Sequence, residues 1–417
     1  MNNYDLVVVG GGPAGMAAAL EAKERGVEKI IILERDESLG GILDQCIHTG
    51  FGLHYFKEEL SGPEYSDRFS KLVEKEKIET KLETMVLNIS KSNLVTAVNK
   101  ADGLMEIQAK AIILAMGCRE RPRGALNIAG SRVPGVMTAG TAQKYVNIDG
   151  YMTGKKVVIL GSGDIGLIMA RRMTLEGAQV KMVCELLPYS GGLARNIVQC
   201  LDDFGIPLKL SCTVVEVHGK ERLEGVTIAK VDRNRKPIKS SFEYVECDNL
   251  LLSVGLIPEN ELSQSLGVEM DPITGGPVVN ESRETSQKGV FACGNVLHVH
   301  DLVDYVTLES QLAGEGAANH ILNLEEEAAT ISTKGMDGVR YVVPQKINVH
   351  CDKDVKLYFR VAQVYEKAKV FVEVDDEIIL SKRKAKFTPG EMEDISLKKE
   401  IIEQLPVNSE LILRLEV

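Results

Sequence analysis

Apolar positions in the first part of the chain come in short unbroken runs, each followed by glycines. Leu6 to Val9 is such a run, too short for a helix, and it reads as a strand buried on both faces of a parallel sheet. Ala14 to Arg25 is Ala-rich and helical, and Lys29 to Leu33 is a second apolar strand. Together they make one βαβ unit. The same order recurs in strand Lys156 to Leu160, helix Ile165 to Glu176 and strand Gln179 to Cys184. The two units lie 151 residues apart. This implies two nucleotide ligands or an old duplication. Around Lys334 to Arg340 the pattern changes to alternation with period two. Val355 to Val361, Val370 to Val374 and Glu410 to Leu415 read as strands, separated by turn-formers such as Asp375-Asp376 and Pro389-Gly390. The tail is read as a small β-sandwich without recognisable chemistry.

The glycines carry the first chemical signal. Gly10-Gly11-Gly12-Pro13-Ala14-Gly15 fits G-x-G-x-x-G. Gly10 permits a tight turn out of the strand, Gly12 lets a pyrophosphate approach the backbone, and Gly15 lets the helix pack close. Gly161-Ser162-Gly163-Asp164-Ile165-Gly166 repeats the motif. In each unit an acid closes the second strand, Glu34 and Glu185, 19 residues after the last glycine. A carboxylate there accepts ribose hydroxyls and repels the 2′-phosphate of NADP. Leu186 and Leu187 follow Glu185, with no Arg to receive that phosphate, so NAD is the expected ligand of the second loop.

Composition narrows the picture. At 417 residues, the chain is long enough for two or three domains. A net charge of −11 makes nucleic acid an unfavourable partner. The basic run Lys382, Arg383, Lys384 and Lys386 reads as protection of an edge strand. No apolar run is long enough to span a membrane. The first strand begins near Asp5, leaving no room for a secretory signal, so a cytoplasmic location with reduced thiols is expected. The eight Cys form no C-x-x-C pair, which speaks against a zinc or iron–sulfur site and against a vicinal redox disulfide.

Four further stretches bring a resemblance into view: Leu39-Gly40-Gly41, Ile112 to Gly117, Leu251 to Pro258, and Gly289 to Asn295. With the two loops, they resemble the flavoprotein superfamily with two dinucleotide-binding domains that includes thioredoxin reductase and glutathione reductase. The resemblance implies an α/β fold of two three-layer, Rossmann-like domains, with the NAD domain inserted in the FAD domain. Residues 1–121 and 261–330 would form the FAD-binding domain, 122–260 the NAD-binding domain and 335–417 the added β domain. FAD would contact Gly10, Gly12, Pro13, Ala14, Gly15, Glu34, Arg35, Gly41, Val86, Gly117, Gly294 and Asn295. NAD would contact Gly161, Gly163, Asp164, Ile165, Gly166 and Glu185. Asn295 stands where the family usually has Asp, keeping a hydrogen bond to the flavin and removing a charge.

Thioredoxin reductases carry C-x-x-C in the NAD domain, and glutathione-reductase relatives carry a cysteine pair just after the first glycine pair. Here only Cys46 follows Gly40-Gly41. Gly117 to Gly124 and Pro134 to Gly140 resemble subunits of opine-oxidising, sarcosine-oxidising and cyanide-forming dehydrogenases. They resemble still more a bacterial group with an added β domain, found alongside a flavin-dependent glycerol-3-phosphate dehydrogenase and a small Cys-rich protein. The implied activity is hydride transfer between NAD(H) and FAD, with electrons passed to or from a protein partner in a homo- or hetero-oligomer. The tail is expected to supply contacts with such a partner or with a second copy. Two other readings stay open: a stand-alone NADH oxidase or peroxidase using Cys46 as a catalytic residue, and a flavin-binding scaffold. Cys46 is also readable as a small buried hydrophobe. His298, His300, Asp301 and Asp304 are read as packing and hydrogen-bonding around the flavin loop, with no metal site expected.

Overall fold

The computed structural model describes residues 2–324 and 329–416. Residues 325–328, near the end of the expected FAD-binding domain, lie outside the described residues, as do residues 1 and 417. The chain forms two compact units, Met1–Cys118 with Pro258–Val417, and Arg119–Ile257.

In the first unit the strands Asn2–Val9, Ile30–Leu33 and Glu79–Lys81 run parallel, joined on the other side by Gly103–Leu114. That last strand does two jobs. Its first half pairs antiparallel with Leu94–Asn99, which pairs with Met85–Ile89. Its last three residues pair parallel with Val290–Ala292. The helices Pro13–Glu24, Gly62–Lys75 and Val303–Ile321 share an apolar core on one face, and the antiparallel strands cover the other. The result is a three-layer Rossmann-like unit. Helices Pro13–Glu24 and Val303–Ile321 touch backbone to backbone: a Cβ on Gly314 would lie 2.3 Å from the Ala18 carbonyl oxygen.

The second unit repeats this plan. Its five-stranded sheet, ordered Val136–Thr138, Asn249–Leu252, Lys156–Leu160, Gln179–Cys184, Leu208–Lys209, is parallel throughout. Helices Ala139–Asn147 and Asp164–Leu175 pack with one face, and Cys212–Gly219, Leu223–Lys230 and Glu243–Glu246 form a sheet beside the other core. Both βαβ units read from the sequence are present, with ends shifted by a few residues at most.

The tail is a β-sandwich. A five-stranded sheet (Lys346–Asn348, Thr330–Gly335, Glu410–Glu416, Lys369–Val374, Glu377–Arg383) faces a three-stranded one (Val339–Val343, Val355–Val361, Glu393–Leu397) across a shared apolar core. The basic run closes the strand Glu377–Arg383, which is indeed the sheet edge. Alternation in Val355–Val361 divides its residues between two jobs. Leu357, Phe359 and Val361 fill the sandwich. Tyr358 and Arg360 face the other way, onto the loop after Asn295, where Arg360 hydrogen-bonds the Val299 carbonyl oxygen at 3.0 Å and pairs with Asp301 at 2.5 Å. This face of the tail is thus covered by another part of the first unit.

Replacing Gly314 by Leu should therefore destabilise the fold by roughly 1–3 kcal/mol or more, because the clashing atom is backbone and cannot rotate away. Urea unfolding followed by circular dichroism measures this; an unchanged midpoint would refute the backbone contact.

Candidate dinucleotide-binding sites

Each glycine loop is shaped by contacts that leave no room for a side chain. Gly10 adopts φ +106°, and a Cβ there would lie 2.5 Å from the Ala115 carbonyl oxygen. A Cβ on Gly15 would lie 1.9 Å from the Gly10 carbonyl oxygen, so the helix starts directly over the strand end. Gly12 is different: a Cβ there meets nothing within 4 Å. Gly12 is also the N-cap of Pro13–Glu24, with no side-chain cap. The first-turn amides of Ala14 and Gly15 therefore border open space at the positive end of a helix, a cradle suited to a pyrophosphate.

The second loop has the same build. Gly161 adopts φ +101°, and a Cβ there would lie 1.9 Å from the Ser253 carbonyl oxygen. A Cβ on Gly166 would lie 2.6 Å from the Gly161 carbonyl oxygen, whereas one on Gly163 meets only Ser253 Oγ at 3.5 Å. Gly163 is likewise an N-cap without a side-chain cap.

The two acids are held alike. Glu34 Oε2 accepts the Gly11 amide at 2.6 Å and Oε1 the Asp36 amide at 2.9 Å. Glu185 Oε2 accepts the Ser162 amide at 2.9 Å and Ser162 Oγ at 2.6 Å, and Oε1 accepts the Leu187 amide at 2.9 Å. Backbone amides thus fix each carboxylate, and a carboxylate oxygen still has capacity for a hydroxyl donor. The motif alone does not single out the supporting residues Gly11 and Ser162, although both occupy its second position.

Other expected residues divide into two groups. Gly41 lies against Gly12, since its Cβ would be 3.3 Å from Gly12 Cα, and Gly294 lies against the helix start, since its Cβ would be 2.8 Å from Ala14 Cβ. Gly117 has φ +71° and open space over it. Val86 packs its side chain into the core, leaving only its backbone for a ligand, and Arg35 is exposed. Asn295 accepts the His300 amide at 2.9 Å and reaches Cys118 Sγ at 3.6 Å, so its amide group already organises the loop. Asp164 Oδ1 accepts the Leu193 amide and Asn196 Nδ2, which makes it a strut for that segment. Ile165 is half-buried against the helix core. In the second unit, Glu120 accepts the Gly140 amide at 2.8 Å, joining the two stretches of subfamily resemblance.

Cys46 Sγ donates to the Ile42 carbonyl oxygen at 3.2 Å. Burial, and then the nearby Asp44 carboxylate, push its thiol up to about 12. These surroundings favour a neutral thiol that packs over a reactive thiolate.

The four residues read as one group after Asn295 do not form one. Asp304 accepts the amides of Gly52, His54 and Tyr55, pinning that loop to the helix start. Asp301 pairs with Arg360. His298 and His300 converge instead on Glu309, each through Nε2 at 2.8 Å, and Arg283 Nε reaches the same carboxylate at 3.2 Å. Glu309 Oε2 also accepts the Gly294 amide at 3.2 Å, tying this network to the turn that lies against Ala14. Burial alone would raise the Glu309 carboxyl; the two imidazoles and Arg283 outweigh it and hold it well below the usual range. An ionised carboxylate only accepts, so both imidazoles carry their hydrogen on Nε2. His298, His300 and Glu309 are the one group that could hold a metal ion among the described residues. The direct hydrogen bonds and the Arg283 charge already satisfy the carboxylate. Glu309 and Arg283 carry no motif. The signal for Glu309 is a charge on the apolar stripe of its helix, three residues after buried Val306 and four before buried Ala313.

Over residues 4–317 the sequence matches the pyridine nucleotide-disulphide oxidoreductase family. The chain belongs to that family. Among curated proteins it is similar to an opine oxidase subunit of Agrobacterium tumefaciens, with 26% identity over 70% of this chain and 61% of that protein. It is also similar to the HcnB subunit of hydrogen cyanide synthase from Pseudomonas protegens, with 28% identity over 63% of this chain and 59% of that protein. The matches thus span about three fifths of those relatives' own lengths. Among solved structures, thioredoxin reductase of T. acidophilum shares the fold, with a TM-score of 0.64 at 22% identity over 76% of this chain and 99% of that one. No helix among the described residues is long and apolar enough to cross a membrane.

Burial pushes His298 down to about 4, from an ordinary value near 6.5. Above pH 6.5 it is neutral whether folded or not. As pH falls from about 6.5 towards 4, the unfolded chain takes a proton that the folded chain refuses, and stability drops by up to roughly 3 kcal/mol. Urea midpoints at pH 7 and pH 5 should show the fall, and His298→Gln should flatten the part that this imidazole contributes. An equal pH dependence in both proteins would count against it.

Proposed function

We propose that the chain is the FAD- and NADH-using reductase component of a larger dehydrogenase, exchanging electrons with a protein partner. The supporting observation is the pair of matched loops, each an uncapped helix N-terminus over open space with an amide-fixed carboxylate beside it. The first loop, with Gly41 and Gly294 against it, would hold FAD. The second would hold the nicotinamide dinucleotide. When bound, the two cofactors supply the chemistry themselves, as hydride transfer between nicotinamide and isoalloxazine.

The chain's own work is to bind and to shape. The amides of Ala14 and Gly15 would neutralise the flavin pyrophosphate, and Glu34 would take the ribose. Glu185, already held by Ser162 and Leu187, would receive the ribose hydroxyls of NADH and repel a 2′-phosphate. Asp304 and the Glu309 network keep the segments 52–55 and 294–300 in place around the first site. Cys46 stands alone after the first glycine pair and is held as a neutral thiol, so a disulfide at that position is not the outlet for electrons. An outlet in a second protein fits the likeness to proteins named as subunits.

In an anaerobic titration, NADH should bleach the flavin absorbance, and NADPH should need at least about tenfold higher concentration, since one repelled charge is worth over 1 kcal/mol. Glu185→Ala should raise the KM for NADH about tenfold and leave flavin content unchanged, whereas Glu34→Ala should lower flavin content. A protein that stays colourless after reconstitution with FAD would end the proposal. Cys46→Ser should keep turnover within about twofold, because a thiol near 12 is not the reacting species at neutral pH. A large loss in Cys46→Ser, together with rapid oxygen consumption by the purified chain, would favour the stand-alone oxidase instead.

A further inference from the structure

Cys184 and Cys212 are 28 positions apart in sequence and side by side in the fold, with Sγ atoms 3.7 Å apart. Both are buried in the second unit. Cys184 ends the strand Gln179–Cys184 immediately before Glu185, and Cys212 opens the strand Cys212–Gly219. The Cys212 amide donates to the Glu185 carbonyl oxygen at 2.8 Å, so the two cysteines bracket the acid of the second loop. Cys212, itself buried, also lines a groove of about 300 Å³ with Lys209, Ile228 and Lys230.

From this placement we infer that Cys184 and Cys212 are a reversible dithiol–disulfide pair, open to small-molecule disulfides, whose closure weakens dinucleotide binding at Glu185. The link to binding rests on the proposed role of Glu185; the chemistry of the pair does not. The Cys212 thiolate attacks a disulfide RSSR, forming Cys212–S–SR and releasing RS⁻. The Cys184 thiolate then displaces the second RS⁻ and the intramolecular bond forms. Two protein thiols are oxidised, one RSSR is reduced to two RSH, and the two protons lost by the cysteines go to the two leaving thiolates. Cys212 is the natural entry point. The hydrogen bond shared with Cys184 outweighs burial and, with Lys209, lowers the Cys212 thiol, while Cys184 is raised by that bond and by burial. A disulfide needs the sulfurs about 1.7 Å closer than they stand. That closure pulls on the strand end that runs into Glu185 and on the Cys212 amide bonded to its carbonyl oxygen.

The test uses the full chain and 2-hydroxyethyl disulfide. Expected results are the loss of two of the eight thiols, a cross-linked peptide joining Cys184 to Cys212, and full reversal by dithiothreitol. Cys184→Ser should trap a mixed disulfide on Cys212, and Cys247→Ser, in the same core, should leave the cross-link intact. NADH should bind the oxidised protein about tenfold more weakly, the loss expected for one displaced charge-assisted hydrogen bond. Failure of the 184–212 cross-link to form, or its formation together with other pairings at equal yield, overturns the pair. A clean cross-link with unchanged NADH affinity overturns the coupling to Glu185. If neither form binds NADH, the reading of the second loop fails, and the cross-link result still decides the pair.

Discussion

A helix can present its first-turn amides to a ligand at the end of a strand only if strand and helix meet without side chains between them. In this chain the meeting is made twice. Gly15 sits on the carbonyl of Gly10, and Gly166 on the carbonyl of Gly161, at separations that no Cβ could enter. The close approach aims each helix N-terminus at ground left open by the middle glycine. It also brings the second residue of the motif within reach of the acid at the end of the next strand. The carboxylate is thereby fixed before any ligand arrives, which removes an ordering cost that binding would otherwise bear.

The sequence made this part legible because the constraint acts on residue type. Where only glycine fits, glycine must appear, and spacing then reports geometry. The helix and strand assignments around both loops followed from apolar runs whose burial leaves little choice. The edge position of the strand ending at Arg383 was readable for a related reason, because charge marks an edge. The network around Glu309 was not readable. Arg283, the pair His298 and His300, and Glu309 come from three stretches, and their meeting depends on how the long helix Val303–Ile321 lies against the Gly294 turn. Asp301 and Asp304 are close to those histidines in sequence and have different partners, so adjacency along the chain misassigned the group.

Cysteine shows the same limit in sharper form. A search for C-x-x-C finds only pairs brought together by one turn of chain. Cys184 and Cys212 are brought together by the pairing of Gln179–Cys184 with Leu208–Lys209 and by the hydrogen bond from Cys212 to Glu185. No local pattern marks such a contact.

The β-sandwich owes its two differently used faces to the alternation in Val355–Val361. Because odd-numbered residues fill the sandwich, Tyr358 and Arg360 must leave it on the opposite face, and there they meet the loop that holds His298 to Asp301. Tyr358 and Tyr341 lie beside His298, so the added domain supplies ring contacts to the Glu309 network. A buried Arg–Glu pair hydrogen-bonded to two imidazoles depends on those bonds staying intact in a low-dielectric setting. The β-sandwich therefore packs Tyr341 and Tyr358 against the histidines that bond Glu309, and Glu309 in turn accepts the Gly294 amide.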